Sequence, residues 1–261
     1  MALNSPIDIE AIYNDYLDKK QEENRLKRYS GNESWYHASG SGSCSRKLYF
    51  ESVEKAEPSN PLDEKTKRLL RLGNVVHDDF EKAFASYNNT INNNTRDNNS
   101  DISRDKEKEN KEKEIRFHTE EEITIPSLNV RGFYDVVAEG DGVYLYDLKT
   151  CGGYSWKLKF GRKQAFNPSI HYELQLGTYG YAIKEQFGRL DGMYLYYYNK
   201  DTSMMRAVSV PLTYISRAYL FWKNINDEHK HGLPPFWKGV STVQDWQCNY
   251  CQFLDHCNPP R

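Results

Sequence analysis

Asp135, Asp147 and Lys149 fall in the stretch FYDVVAEGDGVYLYDLKT, where apolar residues interleave with polar ones and Gly140-Asp141-Gly142 interrupts them. That pattern predicts two strands joined by a three-residue hairpin loop. Pairing Glu139 with Val143 and counting outward sets Asp135 opposite Asp147, and strand alternation puts Asp147 and Lys149 on one face. Paired carboxylates on neighbouring strands hold a hard divalent cation through oxygen and leave positions for water and a phosphate oxygen. A lysine beside them can orient the attacking water and offset charge building on the phosphate. An isolated D-x-K also reads as a surface ion pair, so other residues must decide.

Three features bear on that decision. Gly73-x3-His77 lies in a stretch where Leu69, Leu72, Val76, Phe80 and Phe84 recur at helical spacing, predicting a helix over 63–87. The glycine, one turn before the histidine, permits close backbone approach, and imidazole is a ligand for transition metals, although a helical histidine also serves structure. Gln175-x3-Tyr179 repeats the i, i+4 arrangement in SIHYELQLGTYGYAIKEQF, where it either orients water and phosphate or, for Tyr179, joins an apolar row. Between hairpin and helix lie Lys157, Lys159, Arg162 and Lys163, with no acid before Glu173. They form the local basic patch by which any nucleic-acid partner of a chain of net charge -2 would be met.

A second constellation closes the sequence. Cys248, Cys251 and Cys257 form a C-x2-C-x5-C run, three soft ligands of an incomplete metal site. Cys44 and Cys151 are the remaining thiols, and zinc or an iron–sulfur cluster fits such a ligand set. Five cysteines, an odd number crowded at one end, suit a metal site in a reducing compartment better than a disulfide framework.

These residues need a scaffold. At 261 residues the chain fills one large domain, and 20 Tyr, 11 Phe and 5 Trp supply core or stacking surface despite a mean hydropathy of -0.85. The beginning of the sequence carries no signal-peptide pattern, and no apolar run reaches membrane-span length, so a cytoplasmic or other intracellular location is expected. A charged helical lead-in over 7–28 precedes a Gly/Ser-rich loop around Cys44. The Asn-rich and then mixed-charge residues 88–114 read as a disordered or loosely helical insertion inside one domain, 1–261. EEITIP and LNVRGFYDVVAE read as strands, MYLYYYN and MMRAVSV extend or flank the sheet, and a helix over 212–231 leads to a lobe at 233–261.

Gly73-x3-His77, Gly132-x2-Asp135, Asp147-x-Lys149 and Gln175-x3-Tyr179, in that order, resemble the RecB-like branch of the PD-(D/E)xK nucleases. Cys44-Ser-Arg-Lys-Leu-Tyr and the C-terminal run resemble its iron–sulfur members, among them the CRISPR-associated exonucleases and AddB-type nuclease domains. The resemblance spans about 35–257 apart from the insertion; it departs in having Asp147 where Glu is more frequent and in the insertion itself. No G-x4-G-K-[ST] helicase motif occurs.

The resemblance implies an α/β fold, a restriction-endonuclease-like mixed central sheet flanked by helices. It implies Mn²⁺ or Mg²⁺ held by His77, Asp135, Asp147 and the Leu148 carbonyl, with Lys149, Gln175 and Tyr179 serving catalysis. Cys44 would complete a 4Fe-4S cluster with Cys248, Cys251 and Cys257, leaving Cys151 as a buried or incidental thiol. The implied activity is exonucleolytic DNA hydrolysis on single strands or duplex ends, with partners in recombination or CRISPR adaptation. A non-catalytic DNA-binding subunit of the same fold and a zinc-stabilised interaction protein are the alternatives.

Overall fold

The computed structural model describes residues 7–29, 35–97, 114–161, 170–236 and 245–257. In chain order the helices are α1 (Ile9–Tyr29), α2 (Ser45–Leu48), α3 (Glu64–Asp97), α4 (Gly153–Phe160), α5 (Ile170–Phe187), α6 (Thr213–His229), α7 (Asp245–Asn249) and α8 (Leu254–Cys257). The strands are β1 (Tyr36–His37), β2 (Arg116–Thr119), β3 (Glu122–Ile125), β4 (Val130–Phe133), β5 (Val136–Glu139), β6 (Val143–Cys151), β7 (Gly192–Asn199) and β8 (Met205–Val210). Among the described residues no helix is long and apolar enough to cross a membrane.

The strands form two sheets. Five run in the order β2-β5-β6-β7-β8, with β6 and β7 parallel and the other pairs antiparallel. Three run in the order β1-β4-β3. The hairpin register is the expected one, with Glu139 opposite Val143 and Val136 opposite Tyr146. LNVRGFYDVVAE, however, is two strands rather than one: β4 ends at Phe133 in the smaller sheet and β5 starts at Val136 in the larger. Asp135 sits at this step between sheets and is half-buried.

Strict alternation explains β7, whose residues Met193, Leu195 and Tyr197 are buried while the tyrosines between them are half-buried. The parallel β6–β7 pair needs a crossover, and α4 and α5 supply it. α5 is buried around Leu174, Leu176, Tyr179 and Ile183. It packs on α6 at Gly177, where an added Cβ would lie 2.3 Å from the Tyr214 carbonyl oxygen, so only glycine allows this approach. Trp222 of α6 is fully buried and donates its indole N–H to Thr178 at 2.9 Å.

α3 departs from expectation at both ends. It continues ten residues past Tyr87 into the Asn-rich stretch, ending at Asp97, while 98–113 lie outside the described residues. Asn88 gives a reason: its side-chain amide donates to the Phe117 carbonyl at 2.7 Å and accepts from the Phe117 N–H at 3.0 Å, tying helix to β2. Toward its start, Leu69 and Leu72 of the apolar row are exposed, whereas Phe80, Phe84 and Tyr87 lean on rings of the large sheet.

Candidate metal and phosphodiester site

Asp135, Glu120 and His77 converge from three elements. Asp135 Oδ2 accepts the Leu148 N–H at 2.5 Å, which pins the carboxylate against β6. Its Oδ1 lies 3.9 Å from Nδ1 of His77 on α3. Gly73 fulfils its expected role, since an added Cβ would meet Thr150 Oγ1 of β6 at 3.0 Å; the helix can therefore lie close enough for His77 to reach in. Glu120, in the turn between β2 and β3, has φ 51 and donates its backbone N–H to the Asp135 carbonyl at 3.3 Å. One ligand atom from each of His77, Glu120 and Asp135 lies within 4.8 Å of the others. The charge run Glu120-Glu121-Glu122 was the available signal for Glu120, but alternation reads it as the entry to a strand.

Asp147 lies behind this group. Its side chain is fully buried, Lys149 Nζ contacts Oδ2 at 2.6 Å, and Oδ1 has no hydrogen-bond partner. Lys149 also donates to Gln175 Oε1 at 3.4 Å, and Gln175 Nε2 donates to the Tyr179 hydroxyl at 3.3 Å. The Tyr179 ring is part of the core, as the apolar row predicts, and its hydroxyl ends the chain of polar contacts. Asp147, expected among the metal ligands, is not one of the three groups that gather closest; its Oδ2 faces Lys149 instead.

The acids on one side of this pair are short of positive charge. Burial, then neighbouring acids, pushes Glu120 up to about 7; the residue is exposed along one edge and desolvated along the other. Burial also raises Asp135, against the lowering effect of Lys149. Asp147 goes up to about 6, mainly by burial, with Lys149 opposing and Asp135 reinforcing. Burial acts to depress Lys149, but the charges of Asp147 and Asp135 outweigh it and hold the ammonium form. His77 is lowered by burial and by Lys149, so its imidazole is neutral and keeps a lone pair for a ligand. Buried carboxylates with an orphaned oxygen are costly in isolation, and a cation with oxygen and imidazole preference relieves that cost. The donor set therefore fits Mg²⁺ or Mn²⁺.

Of the basic segment, Lys157 is exposed on α4 and Lys159 sits 5.0 Å from the centre of the Tyr197 ring. Arg162 and Lys163 lie outside the described residues.

Residues 46–60 pack against the segment from Pro234 to Cys257. Arg46, two residues past Cys44, donates to the carbonyls of Pro234 at 2.8 Å and Cys257 at 3.0 Å. Asn60 reaches the Cys251 carbonyl at 3.3 Å, and Phe50 stacks on Phe253 at 6.1 Å. Burial raises the thiols of Cys251 and Cys257, and the charge of Cys44 acts on both in the same direction. Among the described residues no three cysteine sulfurs lie mutually within 4.8 Å. Cys151 ends β6, beside Lys200 and Asp201.

The sequence profile described as PD-(D/E)XK nuclease superfamily matches residues 99–258, more than half of the chain. The match takes in Glu120, Asp135, Asp147, Lys149, Gln175 and Tyr179 but begins beyond His77 and Cys44. No curated protein matches. Among solved structures, SSO0001 is similar over 95% of this chain and 96% of its own, with TM-score 0.53 and 17% identity, which is a likeness of fold. A candidate exonuclease from Eubacterium rectale covers 84% of each chain, with TM-score 0.40 and 13% identity.

Proposed function

We propose that this chain, which belongs to the PD-(D/E)XK nuclease superfamily, is a divalent-metal-dependent DNA exonuclease acting on single strands or duplex ends. The observation that carries the reading is Asp147: a buried carboxylate with an unpartnered oxygen, beside a lysine and behind a His77/Glu120/Asp135 group. His77, Asp135, Asp147 and the Leu148 carbonyl would hold Mn²⁺ or Mg²⁺, and Glu120 joins them from the geometry. When bound there, such an ion would supply Lewis acidity and lower the pKa of a water for attack on phosphorus.

The remaining steps belong to side chains. Lys149, kept charged by two carboxylates, orients the attacking water and offsets negative charge on the phosphate. Gln175 fixes the lysine's direction, and Tyr179 fixes Gln175. Lys157, Lys159, Arg162 and Lys163 hold the strand through its phosphates. Membership of the RecB-like branch is part of the same proposal.

We also read 1–261 as one nuclease domain whose lobe at 233–261 is completed by Cys44 around a 4Fe-4S cluster. Support comes from the docking of the C-terminal lobe on residues 46–60 and from the mutual charge effects of Cys44, Cys251 and Cys257. The partners would belong to recombination or CRISPR adaptation. The experiment is digestion of labelled DNA with Mn²⁺, Mg²⁺ or EDTA by wild type and Asp147→Ala, with iron and acid-labile sulfide measured on anaerobically purified protein.

A further inference from the structure

We propose that Tyr154 and Leu158 on α4 form a stacking platform for unpaired bases of the DNA strand, with Lys157 on an adjoining phosphate. The inference rests on the nuclease reading and narrows its substrate. A base offers its face only when free of a partner strand, so the platform selects single-stranded DNA over paired ends.

α4 divides its side chains between two faces. Trp156 and Phe160, four residues apart, turn to the protein: both pack on the core, and their ring centres lie 4.5 Å apart. Phe160 also meets Tyr197 edge-on at 5.4 Å, and Tyr197 is the register partner of Lys149. This face therefore seats the helix beside Lys149. Asp201 fixes the start of α4 by accepting the Gly153 N–H at 2.6 Å. Tyr154, Lys157 and Leu158 stand at i, i+3 and i+4, which puts them together on the remaining face. Tyr154 is 78% exposed, more than any other large apolar or aromatic side chain among the described residues, and Leu158 is 46% exposed.

An exposed tyrosine alone is ordinary. This one has a cation beside it and a defined place. Lys157 is exposed and makes no ion pair among the described residues; the nearby acid Glu173 acts on Lys159 instead. Rings beneath bases and cations along phosphates are the two chemistries that hold single-stranded nucleic acid. Two apolar side chains make too small a patch for a protein partner, which needs about 800 Å² per side. Tyr154 follows Lys149 by five residues, a span of at most about 18 Å. A strand with a phosphate at Lys149 can thus reach the platform within a few nucleotides. Because α4 is fastened at both ends, the platform is ordered before the strand arrives, which lowers the cost of binding.

The test is a cycle between side chain and base. Anisotropy of a labelled single-stranded oligonucleotide is measured in EDTA over a range of salt, on normal DNA and on abasic DNA of the same length. The proteins are wild type, Tyr154→Ala, Tyr154→Trp and Lys157→Gln. Tyr154→Ala should weaken binding to normal DNA roughly tenfold, the loss expected of one stacked base, at wild-type Tm and with an unchanged salt slope. Tyr154→Trp should bind at least as tightly as wild type. On abasic DNA, wild type and Tyr154→Ala should bind alike, because nothing is left to stack. Lys157→Gln should instead flatten the dependence of log K on log salt by about 0.7 on both ligands. With Mn²⁺, Tyr154→Ala should raise KM for single strands more than for blunt duplex. Wild-type affinity in Tyr154→Ala, or an equal loss on normal and abasic DNA, would overturn the platform and leave the nuclease reading intact. A base-dependent loss in a protein that cleaves DNA with no cation tested would instead overturn the nuclease reading and leave the platform standing.

Discussion

Asp147 is where burial and chemistry collide, because a fully buried carboxylate with one unpartnered oxygen is tolerated only when its charge has a use. Asp147→Ala and Lys149→Ala should each reduce kcat about a hundredfold or more, as loss of a group aimed at developing charge does, while oligonucleotide binding persists. Glu120→Gln should raise the Mn²⁺ concentration for half-maximal activity by about tenfold, because it removes one hard anionic ligand. The pH dependence has a definite sign. Glu120 at about 7 and Asp147 at about 6 are raised above their ordinary 4.5 and 3.8, so the metal-free fold binds protons that the unfolded chain has released. That stabilisation is complete below the ordinary values and is lost as pH rises through 6 and 7. The Tm of EDTA-treated protein should therefore fall between pH 5.5 and 8, and the Tm gain on adding Mn²⁺ should grow over the same range. A Mn²⁺ gain that is flat with pH contradicts the assignment of these carboxylates as ligands.

At the scale of elements, α3 joins the His77 region to β2 through Asn88, so the insertion should be divisible. Replacing 98–113 with a short Gly/Ser linker should shift stability by less than about 1 kcal/mol, since loop length enters only logarithmically. Asn88→Ala should lower it by about 1–3 kcal/mol, because it leaves backbone groups of Phe117 without partners; chemical denaturation of both proteins checks the pair. The same elements show what was legible in sequence. The hairpin register, Glu139 opposite Val143, was legible because strand alternation and a three-residue loop fix it from local information alone. Tyr134-Asp135 as a step between two sheets was not legible, since LNVRGFYDVVAE has no Gly or Pro at the break. The helical period of α3 was visible, but periodicity does not say what covers a face, and Leu69 and Leu72 are exposed. Glu120 depends on a left-handed turn and on Asp135 arriving from another strand, which no local pattern encodes.

At the scale of the molecule, residues 46–60 and the C-terminal lobe share hydrogen bonds and ring contacts across about two hundred positions of sequence. Closing so long a loop constrains the unfolded chain heavily. Cys44→Ala, Cys248→Ala, Cys251→Ala and Cys257→Ala should each lose visible absorbance and lower Tm, with activity falling as a consequence, whereas Cys151→Ala should change neither. Full colour and Tm in Cys44→Ala, with both lost in Cys151→Ala, would reverse that ligand assignment. The metal centre is a separate constellation, and the central claim about it has a direct test. End-labelled single-stranded and blunt duplex DNA are incubated with wild type or Asp147→Ala in Mn²⁺, Mg²⁺ or EDTA, and the products are sized. The account predicts shortening of the DNA by wild type only when a divalent cation is present, and none by Asp147→Ala. Undiminished cleavage by Asp147→Ala, or intact DNA with wild type in both cations, would contradict it.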